Sequence, residues 1–412
     1  MKKYIKIMSV LLGLFSLAAV GGSIYVANIL PDTFSVLQGK KLSFTSDLPV
    51  VAECNTTQKS VAVSASVKAG NVYSTEIMLF GIIPVKQVTV DVVNETYVIP
   101  GGEPFGIKLY TEGVMIVGMS DVDSPNGPDN PAYDAGVRVG DIIMALNGKA
   151  VSTNDEVAKI FSSSGGKAVK INYKRGTVAY SVSVTPVKSV SENTYKAGLW
   201  VRDSTAGIGT LTFFSPSTGV FAGLGHGVCD VDTGEIMPLS EGDIVKASIN
   251  GITKGTKGTP GELKGFFVSE TAWGQLYTNT ETGVYGVING YLQGKAIPVA
   301  MKQQVHQGVA YILVTLNGSA PQQYSVTIER VHFNDSGETK NMIIQVTDPK
   351  LLEATGGIVQ GMSGSPIIQD GRLVGAVTHV FVNDPTRGYG IFAENMINTV
   401  KSIEIQYHKD VS

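Results

Sequence analysis

Hydrophobic and polar positions follow different rules in different parts of this chain. Lys2, Lys3 and Lys6 precede an uncharged apolar run from Ile7 to Leu30, long enough to cross a bilayer at about 20 residues per crossing. Beyond it the period falls to two. Val61-Ala62-Val63-Ser64-Ala65-Ser66-Val67 and Gln87-Val88-Thr89-Val90-Asp91-Val92 alternate apolar with polar, the pattern of strands with one exposed face. Helical signals are few. Thr153 and Glu156 make a capping box that opens a helix through about Phe161, ended by Ser162 to Gly166. Asp348-Pro349-Lys350-Leu351-Leu352 has the form of an N-cap followed by proline at the first helical position, and Asn395 to Ile403 predicts a closing amphipathic helix. From about Tyr195 onward the chain is rich in Gly, Val and Thr, with short alternating runs such as Tyr324-Ser325-Val326-Thr327-Ile328-Glu329. That stretch predicts an all-β barrel fold.

Length and charge narrow the picture. At 412 residues the chain exceeds one ordinary core, so two or three domains are expected. The formal net charge of -3, without a long charge run, argues against nucleic acid as a main partner. The basic N-terminus places the apolar run in a membrane with its C-terminal side outward, so the remainder is exported. Ala18-Ala19-Val20-Gly21-Gly22 offers small residues that a signal peptidase accepts, but an uncleaved anchor is the preferred reading. The two cysteines, Cys54 and Cys229, fall in separate expected domains, which disfavours a mutual disulfide, and Cys229 is read as a small buried residue. No His-Glu-x-x-His and no Walker-type loop occurs, so neither a metal nor a cofactor is expected.

The candidate chemistry lies in Gly361-Met362-Ser363-Gly364-Ser365-Pro366 read with Gly225-His226-Gly227. The glycines allow a tight turn that exposes the Ser363 hydroxyl and aims the amides of Gly361 and Ser363 at one point, an oxyanion hole. Serine needs an imidazole to take its proton. Among His226, His306, His332, His379 and His408, the glycine-flanked His226 suits that role best, and His379 is a candidate for lining a substrate pocket. The acid is less determined. Asp348 has the right chain order but reads equally as a helix cap; Asp243 and Glu270 stay open, and Asp230 and Asp232 lie too near His226 in sequence. Ser365 is a rival nucleophile placed on the descending arm of the turn, and Asp230-Val231-Asp232-Thr233-Gly234 reads as a turn rather than a cation site.

The stretch Pro131-Ala132-Tyr133-Asp134-Ala135-Gly136-Val137-Arg138-Val139-Gly140-Asp141-Ile142-Ile143-Met144-Ala145-Leu146-Asn147-Gly148 resembles a PDZ domain. Such domains bind peptides by adding a strand beside a helix, through an apolar-Gly-apolar loop; Phe105-Gly106-Ile107 is the triplet assigned to that loop. With the anchor, the PDZ match and the two glycine-framed motifs, the chain resembles the stage IV sporulation protein B family of serine peptidases over essentially its whole length. The expected fold class is mainly β: residues 1–30 a signal anchor, 31–99 a β-rich connecting region, 100–188 a PDZ domain and 189–412 a chymotrypsin-like double β-barrel peptidase.

The resemblance implies catalytic Ser363, His226 and Asp348. It also implies an endopeptidase of endospore formers that cuts itself and a regulatory membrane protein. The cutting would take place in the space between forespore and mother cell, and it would lead to activation of a late mother-cell sigma factor. The partners implied are that protein substrate, the chain itself and the membrane. The alternative is a membrane-tethered PDZ scaffold without catalysis.

Overall fold

The computed structural model describes residues 2–44, 50–53, 68–269, 271–290, 293–333 and 339–410. Cys54, Glu270 and the run from Val61 to Val67 lie outside the described residues, as does the side chain of His408. Helix α1 (Lys2–Ile29) is the one described helix long and apolar enough to cross a membrane, by length and composition. Its end is not free. Val26 and Leu30 are buried in a core shared with Phe34, Ile77, Val88 and Val90 of a four-stranded sheet. The sheet comprises β1 (Thr33–Leu37), β2 (Val50–Glu53), β3 (Val72–Leu79) and β4 (Ile83–Val93), in the order β1-β4-β3-β2. Lys86 of β4 ties the two together: its ammonium donates to the Leu30 carbonyl at 2.8 Å and pairs with Asp32 at 2.6 Å. A cation at a helix C-terminus satisfies carbonyls left without intrahelical donors.

Strand β5 (Pro104–Met119) serves two bodies. Its second half packs Val114 and Ile116 into a PDZ core with Ala132 of the short helix α2 (Pro131–Asp134), Ile143 and Leu146 of β6 (Ile142–Leu146), Val157 and Phe161 of α3 (Asn154–Ser162), Ile171 of β7 (Val169–Arg175) and Val184 of β8 (Val178–Val184). Local chemistry explains the elements. Asn147 and Gly148 both have positive φ, 52° and 77°, which the tight turn after β6 requires. Thr153 caps α3 by accepting from the Glu156 amide at 3.3 Å, and the Glu156 carboxylate accepts from the Ser152 amide at 2.9 Å.

The chain leaves this body along β9 (Leu199–Phe214), which pairs antiparallel with β5 from Leu199 opposite Met119 to Thr210 opposite Pro104. The lower halves of the same two strands belong to a barrel. Strands β10 (Val220–Gly223), β11 (Leu239–Thr253), β13 (Gly274–Thr280) and β14 (Gly283–Ile288) close it in the order β5-β11-β13-β14-β10-β9, while β12 (Glu262–Phe267) pairs with β11 outside the ring. The PDZ unit is therefore an excursion from the first barrel, not a domain ending before it. This corrects the boundaries expected at residues 100 and 188. It also corrects the role of Phe105-Gly106-Ile107. Gly106 pairs with Ile208 on one side and Val245 on the other, and Phe105 is fully buried against Phe221. The triplet has no free edge to offer a peptide.

A second closed barrel follows: β15 (Gly308–Val314), β16 (Gln322–Val331), β17 (Met342–Val346), then helix α4 (Pro349–Thr355), β18 (Pro366–Gln369), β19 (Arg372–Phe381) and β20 (Asp384–Phe392). Helix α5 (Ala393–Asp410) seals the two together, burying Met396, Ile397 and Val400 against Phe213 and Tyr285 of the first barrel and Leu373 and Ile391 of the second. The fold is the mainly β, double-barrel architecture expected.

Gly106→Ala checks the corrected placement. A Cβ there would lie 2.4 Å from the Phe267 ring and 2.7 Å from Val245. Overpacking of this kind costs about 1–3 kcal/mol, so a lower unfolding midpoint in a thermal or denaturant titration is expected; an unchanged midpoint would contradict the placement.

Candidate active site

Four buried residues of β10 deliver the chain to the cleft between the barrels, where it turns at once. The Gly225 amide donates to the Gly223 carbonyl at 2.8 Å, closing a three-residue turn with Leu224 at φ 67°. That conformation is rare and strained for a residue bearing a Cβ, and it is held in place: the Leu224 amide donates to the Thr210 carbonyl at 3.2 Å and its side chain is buried. Gly225, at φ 69°, passes so close to β19 that a Cβ would sit 3.0 Å from Thr378 Cγ2. The turn projects His226, half-buried, into the cleft. His226 Nδ1 lies 2.8 Å from the Gly227 carbonyl. A carbonyl only accepts, so Nδ1 carries the proton and Nε2 keeps a lone pair. Burial pushes the imidazole pKa below its ordinary value, and the bond to Gly227 partly opposes that.

The Ser363 loop arrives from the second barrel. Gly361 and Gly364 both have φ 95°, and a Cβ on Gly364 would lie 2.0 Å from the Thr210 carbonyl oxygen and 2.5 Å from the Leu224 amide nitrogen. The loop carrying the serine thus rests directly on the turn carrying the histidine. Two peptide planes are fixed by their carbonyls: Gln360 accepts from the Leu263 amide at 2.8 Å, and Met362 accepts from the Ser365 amide at 2.9 Å. In a trans peptide the N–H points opposite its carbonyl, so these two bonds set the directions of the Gly361 and Ser363 amides. No described hydrogen bond occupies either amide. Ser363 is half-buried, and its hydroxyl donates to the Thr378 carbonyl at 2.7 Å. Ser365 is completely buried beneath the loop, which removes it as a rival nucleophile.

His379 follows Thr378 and faces the cleft, its ring 5.0 Å from that of His226 and tilted by 35°. His379 is exposed, yet partial desolvation, the His226 imidazole and the Lys340 ammonium push its pKa down to about 4. Ser363, His226 and His379 therefore meet in one place. Asp348 does not join them. One carboxylate oxygen accepts from the Lys350 and Leu351 amides at 2.9 and 3.3 Å, and the other from the Ser325 amide at 3.3 Å. This is the helix cap of α4, and no described contact links it to His226. Asp230 is buried against Arg202 and organises its own turn by accepting from the Thr233 amide at 2.9 Å. Asp243 lies in the ladder of β11 between Lys108 and Gln275. The group that orients His226 is a backbone carbonyl, which has no residue signature for a sequence reading to detect. Cys229 is a free, exposed thiol rather than a buried one, with its pKa raised by partial burial and by Glu235 and Asp230.

The apolar-Gly-apolar pattern assigned to Phe105-Gly106-Ile107 recurs at Ala197-Gly198-Leu199, where the geometry suits it. A cavity of about 560 Å³ lies between α3 and the start of β9, lined among others by Val157, Phe161, Tyr195, Leu199 and Trp200. Gly198 has φ 80°, and a Cβ would lie 2.6 Å from Asn130 Oδ1. From Leu199 to Val201 the edge of β9 turned away from β5 has no strand partner among the described residues. The repeat of the triplet was visible in the sequence, but which copy sits at an open edge was not.

Residues 193–397 match the model of the SpoIVB peptidase S55 family, and residues 126–175 match a PDZ domain model. Among curated proteins, the chain is 34% identical over 96 residues to a protein of Lactococcus lactis subsp. lactis bearing a zinc metalloprotease name, covering 23% of this chain and 21% of that protein. It is 37% identical over 59 residues to serine protease HTRA1 of Xenopus laevis, covering 14% and 12%. The chain spans about a fifth or less of the length of these curated relatives. Among solved structures, the PDZ domain of the SdrC-like protein of Listeria monocytogenes is similar at 28% identity and TM-score 0.19, covering 22% of this chain and 87% of that one. The HtrA-type protease AlgW with decapeptide is similar at 15% identity and TM-score 0.30, covering 49% and 54%.

Both imidazoles should titrate low. In an NMR titration, His226 is expected below 6.5 and His379 near 4. The unfolded chain then binds these protons more readily, so stability falls as pH drops from about 6.5 toward 4. A His379 midpoint at 6.5 or above would contradict the partial desolvation of the ring beside His226 and Lys340.

Proposed function

The chain belongs, through residues 193–397, to the SpoIVB peptidase S55 family and carries a serine peptidase domain, and we propose that it is a membrane-tethered endopeptidase using Ser363 as nucleophile and His226 as base. The observation that carries this reading is the contact between the two catalytic loops, with Gly364 of one resting on Leu224 of the other. The Nδ1–H tautomer leaves Nε2 free to take the Ser363 proton as Oγ bonds to the substrate carbonyl carbon. The carbonyl oxygen becomes an oxyanion between the Gly361 and Ser363 amides, preorganised donors of the kind whose individual removal costs about 10²–10³ in rate. His226 then passes its proton to the leaving amine, and water releases the acyl-enzyme by the same steps.

In the present conformation the single Ser363 proton is committed to the Thr378 carbonyl. Transfer to Nε2 requires the hydroxyl proton to leave the Thr378 carbonyl first.

The wider role follows the family. A peptidase of endospore-forming bacteria, anchored by α1 between forespore and mother cell, would cut itself and a regulatory membrane protein in the signalling of a late sigma factor. The docked end of α1 supports an anchor that stays attached, since cleavage at Ala18 to Gly22 would leave only a stub on the sheet. The groove between α3 and β9 is the proposed place for an extended segment of the protein substrate, by strand addition.

Intact-mass analysis over time of the detergent-solubilised chain beside Ser363→Ala tests the central reading. Fragments and fluorophosphonate labelling are expected from the parent alone; equal fragmentation of both would defeat it. Asp348→Asn separates the cap from a triad acid. Asparagine caps a helix about as well as aspartate but turns its NH2 toward the Ser325 amide, so a modest loss of stability with little change in labelling rate is expected, whereas loss of a true triad acid costs about 10⁴ in rate.

A further inference from the structure

We propose that Thr210, on β9, is a positioning residue that holds the histidine turn and the serine loop in register. It is buried, with 3% of its surface exposed, at the floor of the cleft between the barrels. All three of its polar groups bind catalytic loops. Its hydroxyl donates to the Gly361 carbonyl at 2.7 Å, and its amide donates to the Ser363 carbonyl at 3.1 Å. Its own carbonyl accepts from the Leu224 amide at 3.2 Å.

Each bond has a distinct consequence. The Leu224 bond restrains the strained turn from which His226 projects, where the residue at φ 67° has a Cβ. The Ser363 bond sets the height of the nucleophile above the floor. The hydroxyl bond fixes the Gly361–Met362 peptide, which lies between the two amides proposed to receive the oxyanion. With the Gln360 and Met362 carbonyls held by Leu263 and Ser365, the Thr210 hydroxyl is the side-chain contribution to that set. Without it, the half-buried Gly361 carbonyl loses its partner and the peptide is held at one end only, by the Met362 amide donating to the Val359 carbonyl at 3.1 Å, so it can tilt and carry the neighbouring amides off line. Misplacement by about 1 Å is enough to cost 10²-fold in rate. Thr210 touches no reacting atom, so its effect is on the chemical step rather than on binding.

The inference rests on Ser363 being the nucleophile, and the experiment keeps the two apart. Full-length protein in detergent is labelled with a fluorophosphonate probe, whose tetrahedral adduct needs the oxyanion site, and kinact and KI are measured separately for parent, Ser363→Ala, Thr210→Val and Thr210→Ser. Expected for Thr210→Val is a fall in kinact of about 10- to 100-fold with KI within twofold of the parent. Thr210→Ser, which restores the hydroxyl, should recover most of the rate. A parent that labels only through Ser363, together with an unchanged kinact in Thr210→Val, would overturn this inference alone. A rise in KI at constant kinact, or an equal rate loss in the Ser variant, would overturn it as well. Labelling of the parent that persists in Ser363→Ala would overturn both readings. Should Thr210→Val fail to fold, Thr210→Ala is read by the same criteria.

Discussion

The antiparallel pairing of Pro104–Met119 with Leu199–Phe214 is the constraint on which the rest of the molecule depends. One pair of strands begins in the PDZ core, crosses the first barrel and ends beneath the loops that carry His226 and Ser363. Paired over most of its length, a two-stranded ribbon is stiff along its axis, and its backbone groups are largely satisfied before any loop is placed. Thr210 is the last β9 residue to pair with β5, and the loops carrying His226 and Ser363 gather on it.

The two barrels meet through glycines as much as through apolar packing. Gly364 lies against the Thr210 and Leu224 backbone at separations no Cβ tolerates, and Gly225 lies so near Thr378 and Ile391 that a Cβ would sit 3.0 and 3.1 Å from their methyls, tight enough to require them to give. These contacts place a half-buried imidazole beside a half-buried serine in a cleft lined by a second imidazole. Desolvation then keeps both rings neutral at ordinary pH, which is the state a proton acceptor requires.

Much of the local structure was legible in the chain. Alternation along β4, the capping residues Thr153 and Asp348, the Asn147-Gly148 turn and the glycine spacing around Ser363 each act through neighbours a few residues away, so the residue types alone carry the information. The same locality explains the errors. Phe105-Gly106-Ile107 and Ala197-Gly198-Leu199 obey one pattern, and only pairing with distant Ile208 and Val245 closes the first to ligands. Asp348 satisfied both a cap and a triad order, and its three amide donors decide between them.

The sequence by itself determined the apolar N-terminal segment, the mainly β character, the PDZ resemblance and the residues able to act as nucleophile and base, because these depend on side-chain chemistry and short-range backbone preference. Tertiary structure alone decided that the PDZ unit is an excursion from the first barrel, that β9 rather than β5 borders the open groove, that a carbonyl holds His226, and that Thr210 joins the two loops. Each of these is a matter of backbone groups meeting across long stretches of chain, where hydrogen-bond partners are chosen by register and closure, and a backbone N–H or C=O looks the same at every position of the sequence.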